Sequence, residues 1–78
     1  SISVHGEEQR HSDAYDAYNK GVEFSAQGRV SEAAEFFLEA SGSRDENLRK
    51  RALYNLGNSL VKMQDPVQAI SAYQRAYD

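Results

Sequence analysis

The chain has 78 residues, of which 40% are hydrophobic and 27% are charged, and its formal net charge is −3. These values indicate one globular domain or part of one, and the negative charge argues against broad electrostatic binding to nucleic acid or anionic lipid. Cysteine is absent, which excludes disulfides and thiolate metal sites. The longest apolar runs are only a few residues, so we expect no membrane insertion.

The first predicted helix follows an unpatterned start. Residues 1–12 show neither helical nor strand periodicity, and we expect them to form a flexible lead-in. From Asp13 onward, small and aromatic residues recur at three- and four-residue spacing, which is typical of a helix that buries one stripe. Gly28 is the expected left-handed residue that ends this helix. The stripe consists of Ala14, Ala17, Tyr18, Gly21, Phe24 and Ser25.

A second and a third helix are predicted next. The second helix ends at Gly42, and Ser43 with Glu46 has the spacing of a capping box that begins the third. Both carry apolar stripes at helical spacing. The second stripe is Val30, Ala33, Ala34, Phe37, Ala40 and Ser41, and the third is Leu48, Ala52, Leu53, Leu56, Gly57 and Leu60.

The fourth helix is predicted to begin at Asp65-Pro66, with Asp65 as the cap and Pro66 at the first helical position. Its apolar residues are Val67, Ile70, Tyr73, Ala76 and Tyr77. Four helices joined by short turns make the expected fold class all-α, with hairpins at about residues 14–42 and 45–77.

The two halves of the chain are similar at an offset of 36 residues (57 − 21), as from Gly21 to Gly57. Small residues on both helices of a hairpin allow the two helices to cross closely. We therefore expect Gly21 and Gly57 to lie at close helix crossings. The same offset pairs Tyr18 with Tyr54, Phe24 with Leu60, Ala33 with Ala69, Phe37 with Tyr73, and Ala40 with Ala76.

This pattern resembles the tetratricopeptide repeat, a helix–turn–helix unit of about 34 residues. The run Ala52-Leu-Tyr-Asn-Leu-Gly-Asn58, followed by Asp65, Ala69, Tyr73 and Ala76, carries the resemblance. The resemblance covers roughly residues 14–78. It implies a right-handed solenoid fragment of two repeats, at about residues 14–43 and 44–78. The second repeat is expected to be incomplete at its C-terminal side.

The first unit departs from the family pattern. Ala17 stands where the family usually has a large aromatic residue, Lys20 where it has Leu, and Asp45 at the place of a terminal Pro. The pairing of this unit with Tyr-Asn-Leu-Gly-Asn also resembles repeat segments of bacterial aerotolerance-type envelope proteins.

Residues suited to catalysis or metal binding are scarce. The histidines, His5 and His11, lie six apart in the predicted lead-in without a His-Glu-x-x-His helix, which is a poor zinc pattern. No Gly-x-Ser-x-Gly elbow or phosphate-binding glycine loop is present. We expect a non-enzymatic protein without metal or cofactor. The basic cluster Arg44, Arg49, Lys50 and Arg51 is interpreted as a solvated helix start, with Arg51 the exception.

The resemblance implies a groove lined by the first helix of each repeat, which binds a peptide or a helix of another protein. Only Asn55 matches the family's pattern for clamping an acidic C-terminal tail, so that specificity is not expected. The alternative for Tyr18 and Tyr54 is inter-repeat packing, and for the Asn residues plain helix surface. The groove positions are Tyr15, Tyr18, Asn19, Val22, Ser25 and Ala26 in the first repeat, and Arg51, Tyr54, Asn55, Asn58, Val61 and Lys62 in the second.

Two further expectations concern the surface. Asn55 and Asn58 are interpreted as groove residues whose replacement leaves the fold nearly unchanged. The rival function is a structural or self-associating unit, because the last helix lacks a neighbour over its apolar side. Val67, Ile70 and Tyr77 are the residues expected to be exposed there or to pair with another copy.

Overall fold

The protein is built from four α-helices, in a computed structural model that describes the backbone from Ile2 onward and the side chains of residues 13–78. They are α1 (Ile2–Ala26), α2 (Val30–Ala40), α3 (Glu46–Lys62) and α4 (Pro66–Tyr77), and no strand occurs in this part of the chain. The all-α prediction is confirmed. Helix α1 begins at Ile2 rather than at the predicted Asp13. The lead-in predicted at residues 1–12 falls on residues outside the fully described range.

The helices pack in chain order. α1 packs against α2, α3 packs against α4, and α2 and α3 join the two pairs, whereas α1 and α3 touch only slightly. The largest buried cluster spans α2, α3 and α4, with Phe24 and Tyr18 of α1 against its edge. Its members are mostly Ala and Leu: Ala33, Ala34, Phe37, Leu53, Leu56, Leu60, Ala69, Ala72 and Ala76. The many alanines allow the helices to approach closely, and the leucines of α3 fill the centre.

The first helix of each pair ends in the same way. Gly28 has a φ of 76° and Gln64 a φ of 62°, so both adopt the left-handed conformation. The following amides of Arg29 and Asp65 donate to the carbonyls of Phe24 and Leu60, each at 2.9 Å. This is the hydrogen-bond pattern of a Schellman motif, and it recurs at the same 36-residue offset (64 − 28).

Helix α3 is capped by a different residue from the one predicted. The Asp45 side chain accepts hydrogen bonds from the amides of Asn47 and Leu48, and Ser43 Oγ accepts from the amide of Asp45. The capping box predicted from Ser43 and Glu46 is therefore wrong, because Ser43 lies in the turn before the helix. Asp65 caps α4 through the amide of Gln68, with Pro66 in the first turn, as predicted.

Gly21 and Gly57 lie at close helix crossings, as the repeat pattern predicts. A Cβ atom added to Gly21 would lie 2.6 Å from Cε1 of Phe37, and one added to Gly57 would lie 2.5 Å from Cε1 of Tyr73. Both distances are far below an ordinary carbon contact. The aromatic ring of the second helix in each pair therefore occupies the space that the missing side chain leaves.

We predict that Gly57→Ala destabilises the protein by about 1–3 kcal/mol, since the added methyl group must displace the Tyr73 ring. In a helix without such a contact, the same exchange is stabilising. Urea denaturation measures the free energy of unfolding. Gly42→Ala is the control, because its added Cβ would meet nothing closer than 3.4 Å. Equal stability of the wild type and Gly57→Ala would contradict the close crossing.

A second prediction uses the left-handed residue that ends α3. Gln64→Gly is expected to raise the free energy of unfolding by about 0.5–1 kcal/mol, because glycine adopts a positive φ without steric cost. Gly28→Gln is the reciprocal control: a Cβ at Gly28 meets nothing within 4 Å, so only the backbone conformation opposes it. Thermal melts of both variants, shifting in opposite directions, would support the prediction, and a destabilised Gln64→Gly would contradict it.

Candidate functional site

An open cleft of about 600 Å³ is lined by residues of α1, α3 and α4. Four residues of the predicted groove line it, and three more come from α3 and α4. The lining residues are Tyr18, Arg51, Tyr54 and Asn55, together with Lys50, Ala76 and Tyr77. The cleft forms because α4 runs antiparallel to α3, which brings the end of α4 beside the first turns of α3.

The two equivalent tyrosines of the cleft make matching ring contacts. Tyr18 meets Phe37 with ring centroids 5.7 Å apart, and Tyr54 meets Tyr73 at 5.7 Å. Tyr18 also packs against the core and is partly buried, whereas Tyr54 is exposed. Tyr18 therefore serves packing as well as the cleft, and Tyr54, which is 46% exposed, offers part of its ring to a ligand.

Asn55 and Asn58 are held by tyrosine hydroxyl groups, which sequence reasoning did not foresee. Asn55 Nδ2 donates to the Tyr18 hydroxyl at 2.9 Å and so links α3 to α1. The Tyr73 hydroxyl donates to Asn58 Oδ1 at 2.5 Å and so links α4 to α3. Both Asn side chains are partly buried. They stabilise helix packing, which differs from the expectation of plain groove surface.

The remaining groove residues lie outside the cleft. The Tyr15 hydroxyl donates to Asp45 Oδ2 at 2.9 Å, and this bond to a carboxylate raises the pKa of Tyr15 above its ordinary value. The bond connects α1 to the N-terminal cap of α3. Asn19, Val22 and Lys62 are exposed. The structure thus brings four of the predicted groove residues together in one cleft and distributes the others along α1 and α3.

Two cations lie at the cleft of this acidic chain. Lys50 Nζ is 3.1 Å from Glu46 Oε1 one turn earlier in α3, so its charge is partly compensated. Arg51 is exposed and forms no ion pair with any residue between 13 and 78. Its guanidinium carries five N–H donors in a fixed plane, which suits a carboxylate. The rim of the cleft is therefore suited to an acidic group.

Lys50, Ala76 and Tyr77 were not predicted as site residues. In an antiparallel pair, each turn toward the start of α3 corresponds to one turn toward the end of α4. Extending the Tyr54–Tyr73 contact one turn in this way reaches Lys50 and Tyr77. The 36-residue offset matches Tyr54 with Tyr18 and Tyr73 with Phe37, but it does not show that Tyr54 and Tyr73 touch. Predicting Lys50 and Tyr77 as site residues therefore requires knowing how α3 and α4 pair.

Other kinds of site are not seen in the described residues. Between residues 13 and 78, no three His, Asp or Glu side chains are arranged to hold a metal ion. His5 and His11 lie outside that range. Among the helices as described, none combines the length and apolar character needed to cross a bilayer. Comparison with protein-family models, with curated proteins and with solved structures finds no match.

The hydrogen bond between Asn58 and Tyr73 gives a testable prediction. Asn58→Ala is expected to lower the free energy of unfolding by about 1–2 kcal/mol, because it leaves the partly buried Tyr73 hydroxyl without its acceptor. Asn19→Ala is the control at an exposed position and should stay within about 0.5 kcal/mol. Chemical denaturation is measured for both variants, for Tyr73→Phe, and for Tyr73→Phe combined with each of them. The double-mutant comparison gives the coupling energy between residue 58 and Tyr73. Additive effects of Asn58→Ala and Tyr73→Phe would contradict the bond.

Proposed function

We propose that the protein is a non-enzymatic protein-interaction module that binds a peptide or a partner helix in the groove lined by α1 and α3. The cleft containing Tyr18, Arg51, Tyr54 and Asn55 is the observation that carries this proposal. It is open rather than enclosed, and it combines aromatic rings with hydrogen-bonding groups and the guanidinium of Arg51, which has no ion-pair partner among residues 13–78. Such a surface suits a flexible polypeptide, whose backbone offers donors and acceptors along its length.

The arrangement also supports a tetratricopeptide-like solenoid fragment as the fold. At an offset of 36 residues (73 − 37), the glycine–ring crossing, the aromatic pair and the Schellman ending each occur twice. Repeats that share such contacts stack in one direction, and their first helices line a common concave surface. The order of contacts in the chain, with each helix packed mainly on its neighbours, agrees with this proposal.

Binding energy in this groove would come mostly from the exposed ring of Tyr54 and the ring of Tyr77. Arg51 would set the direction of the peptide by pairing with an acidic side chain or a terminal carboxylate. Asn55 would contribute less than the sequence suggests, since one of its amide hydrogens is already donated to Tyr18. The proposal therefore places specificity on Arg51 and affinity on the tyrosines.

A second candidate function is a structural or self-associating unit that uses α4. It is favoured by the exposure of Val67, Ile70 and Tyr77. Self-association has a direct signature, because the molecular mass in solution would rise with protein concentration. A constant monomer mass across a dilution series would exclude this function.

The groove proposal is tested with a displayed library of random peptides selected on the whole chain. We expect the selected peptides to contain acidic residues, and Tyr54→Ala or Arg51→Gln to weaken their binding about tenfold or more. Leu38→Ala is the control, an exposed apolar residue on α2 away from the cleft. Peptides that bind all four proteins equally would show that the groove is not the site.

A further inference from the structure

One face of α4 exposes an apolar stripe. Val67 is 78% exposed, Ile70 57% and Tyr77 76%, although they are among the largest apolar side chains of the helix. Their spacing of three and seven residues puts them on one side of the helix. Tyr54 of α3 is exposed beside the end of this stripe, across the cleft from Tyr77.

The matching face of the first helix pair is covered. Ala34 and Ser41 correspond to Ile70 and Tyr77 at the 36-residue offset (70 − 34), and they are 7% and 6% exposed, whereas Ser31, which corresponds to Val67, is exposed. Ala34 belongs to one buried cluster with Leu53, Leu56 and Leu60 of α3. Helix α3 therefore covers on α2 the position that Ile70 occupies on α4, and the described chain has no further helix in that place.

We infer that the exposed face of α4, together with Tyr54, docks one amphipathic helix of a partner protein in the way that α3 docks on α2. The α2–α3 contact supplies the expected chemistry of that helix. Its contact side carries alanine and leucine at the spacing of Ala52, Leu53, Leu56 and Leu60, which meet the alanines of α2 and α1. This inference goes beyond the groove, because the docked helix would share Arg51, Tyr54 and Tyr77 with the cleft but would also cover Ile70, which does not line it.

Two polar contacts of α3 predict polar groups in the partner helix. Tyr15 bonds to the capping carboxylate of Asp45, and the residue equivalent to Tyr15 is Arg51 (51 − 15 = 36). A carboxylate at the start of the docked helix would therefore meet the unpaired guanidinium. Asn55 donates to the Tyr18 hydroxyl, and the equivalent hydroxyl of Tyr54 makes no hydrogen bond within residues 13–78. An amide in the middle of the docked helix would meet it.

A second copy of this chain does not fit as the occupant through its own first helix. The docking side of α3 carries Ala52, Leu56 and Ser59, all buried. The equivalent positions of α1 are Asp16, Lys20 and Glu23, all exposed. Stacking α1 of one copy on α4 of another would bury three charges against apolar side chains without partners, which costs more than the contact yields.

The experiment uses a fluorescent peptide with the sequence of residues 45–62, which contains the cap and the leucines of α3. Anisotropy measures its binding to the whole chain. We expect saturable binding, and Ile70→Asp should weaken it at least about tenfold. Leu38→Asp is the matched control, because Leu38 is 56% exposed and lies on α2. It should bind the peptide like the wild type. Ile70→Gln is the second variant if Ile70→Asp fails to fold.

Direction is tested with a peptide in which Asp45 is replaced by Asn, which keeps the cap and removes the charge. It should bind the wild type about threefold more weakly than the original peptide does. The two peptides should bind Arg51→Gln equally well.

No saturation up to about 1 mM peptide, or equal binding to Ile70→Asp and wild type, would overturn the inference. A mass increase with concentration that Ile70→Asp abolishes would also overturn it, since a second copy would then cover the face. Ile70→Asp separates the two proposals, because Ile70 does not line the cleft: this variant should bind groove peptides like the wild type and lose the α3 peptide.

Discussion

The close approach of a glycine to an aromatic ring is the contact on which the rest of the architecture depends. Where Gly57 meets Tyr73, the absence of a side chain lets α3 and α4 approach until the ring lies on the backbone. That position brings the Tyr73 hydroxyl to Asn58 and its ring to Tyr54. Because an aromatic side chain has few rotamers, the Tyr73 ring holds one position against α3. Its contacts then fix how the side of α3 that carries Tyr54 faces the cleft.

The sequence predicts those features that depend on spacing alone. Glycines at a constant offset predict the crossings, and Asp65 before Pro66 predicts the start of α4, because each rests on a local backbone requirement. Spacing does not decide between two residues that could fill the same local role. Ser43 and Asp45 can both cap a helix, and only the length of the turn selects Asp45. Hydrogen-bond partners of Asn58 depend on how one helix is rotated against the next.

The candidate site shows the same limit. Helical spacing places Tyr18, Arg51, Tyr54 and Asn55 on the inner side of their helices, and the cleft contains all four. Asn19 and Val22 have the same spacing but lie beyond the end of the cleft. The wall formed by Tyr77 belongs to a helix that the family pattern assigns to the opposite side. Its presence follows from the antiparallel pairing of α3 and α4, a tertiary contact that no local pattern contains.

The two ends of the helix stack differ in their chemistry, and this difference gives the protein a direction. At the first end, Lys20 places its ammonium 5.6 Å from the Phe36 ring centre, and Asp16 and Glu23 keep the outer side of α1 polar. Apolar contact is therefore opposed at that end, because any neighbour would have to desolvate these charges. The other end offers Val67, Ile70 and Tyr77, with Arg51 and the ion-paired Lys50 at the cleft beside them. Under the proposed docking, an apolar helix with one acidic end would gain at α4 what it would lose at α1, and association would then be favoured at one end of the stack.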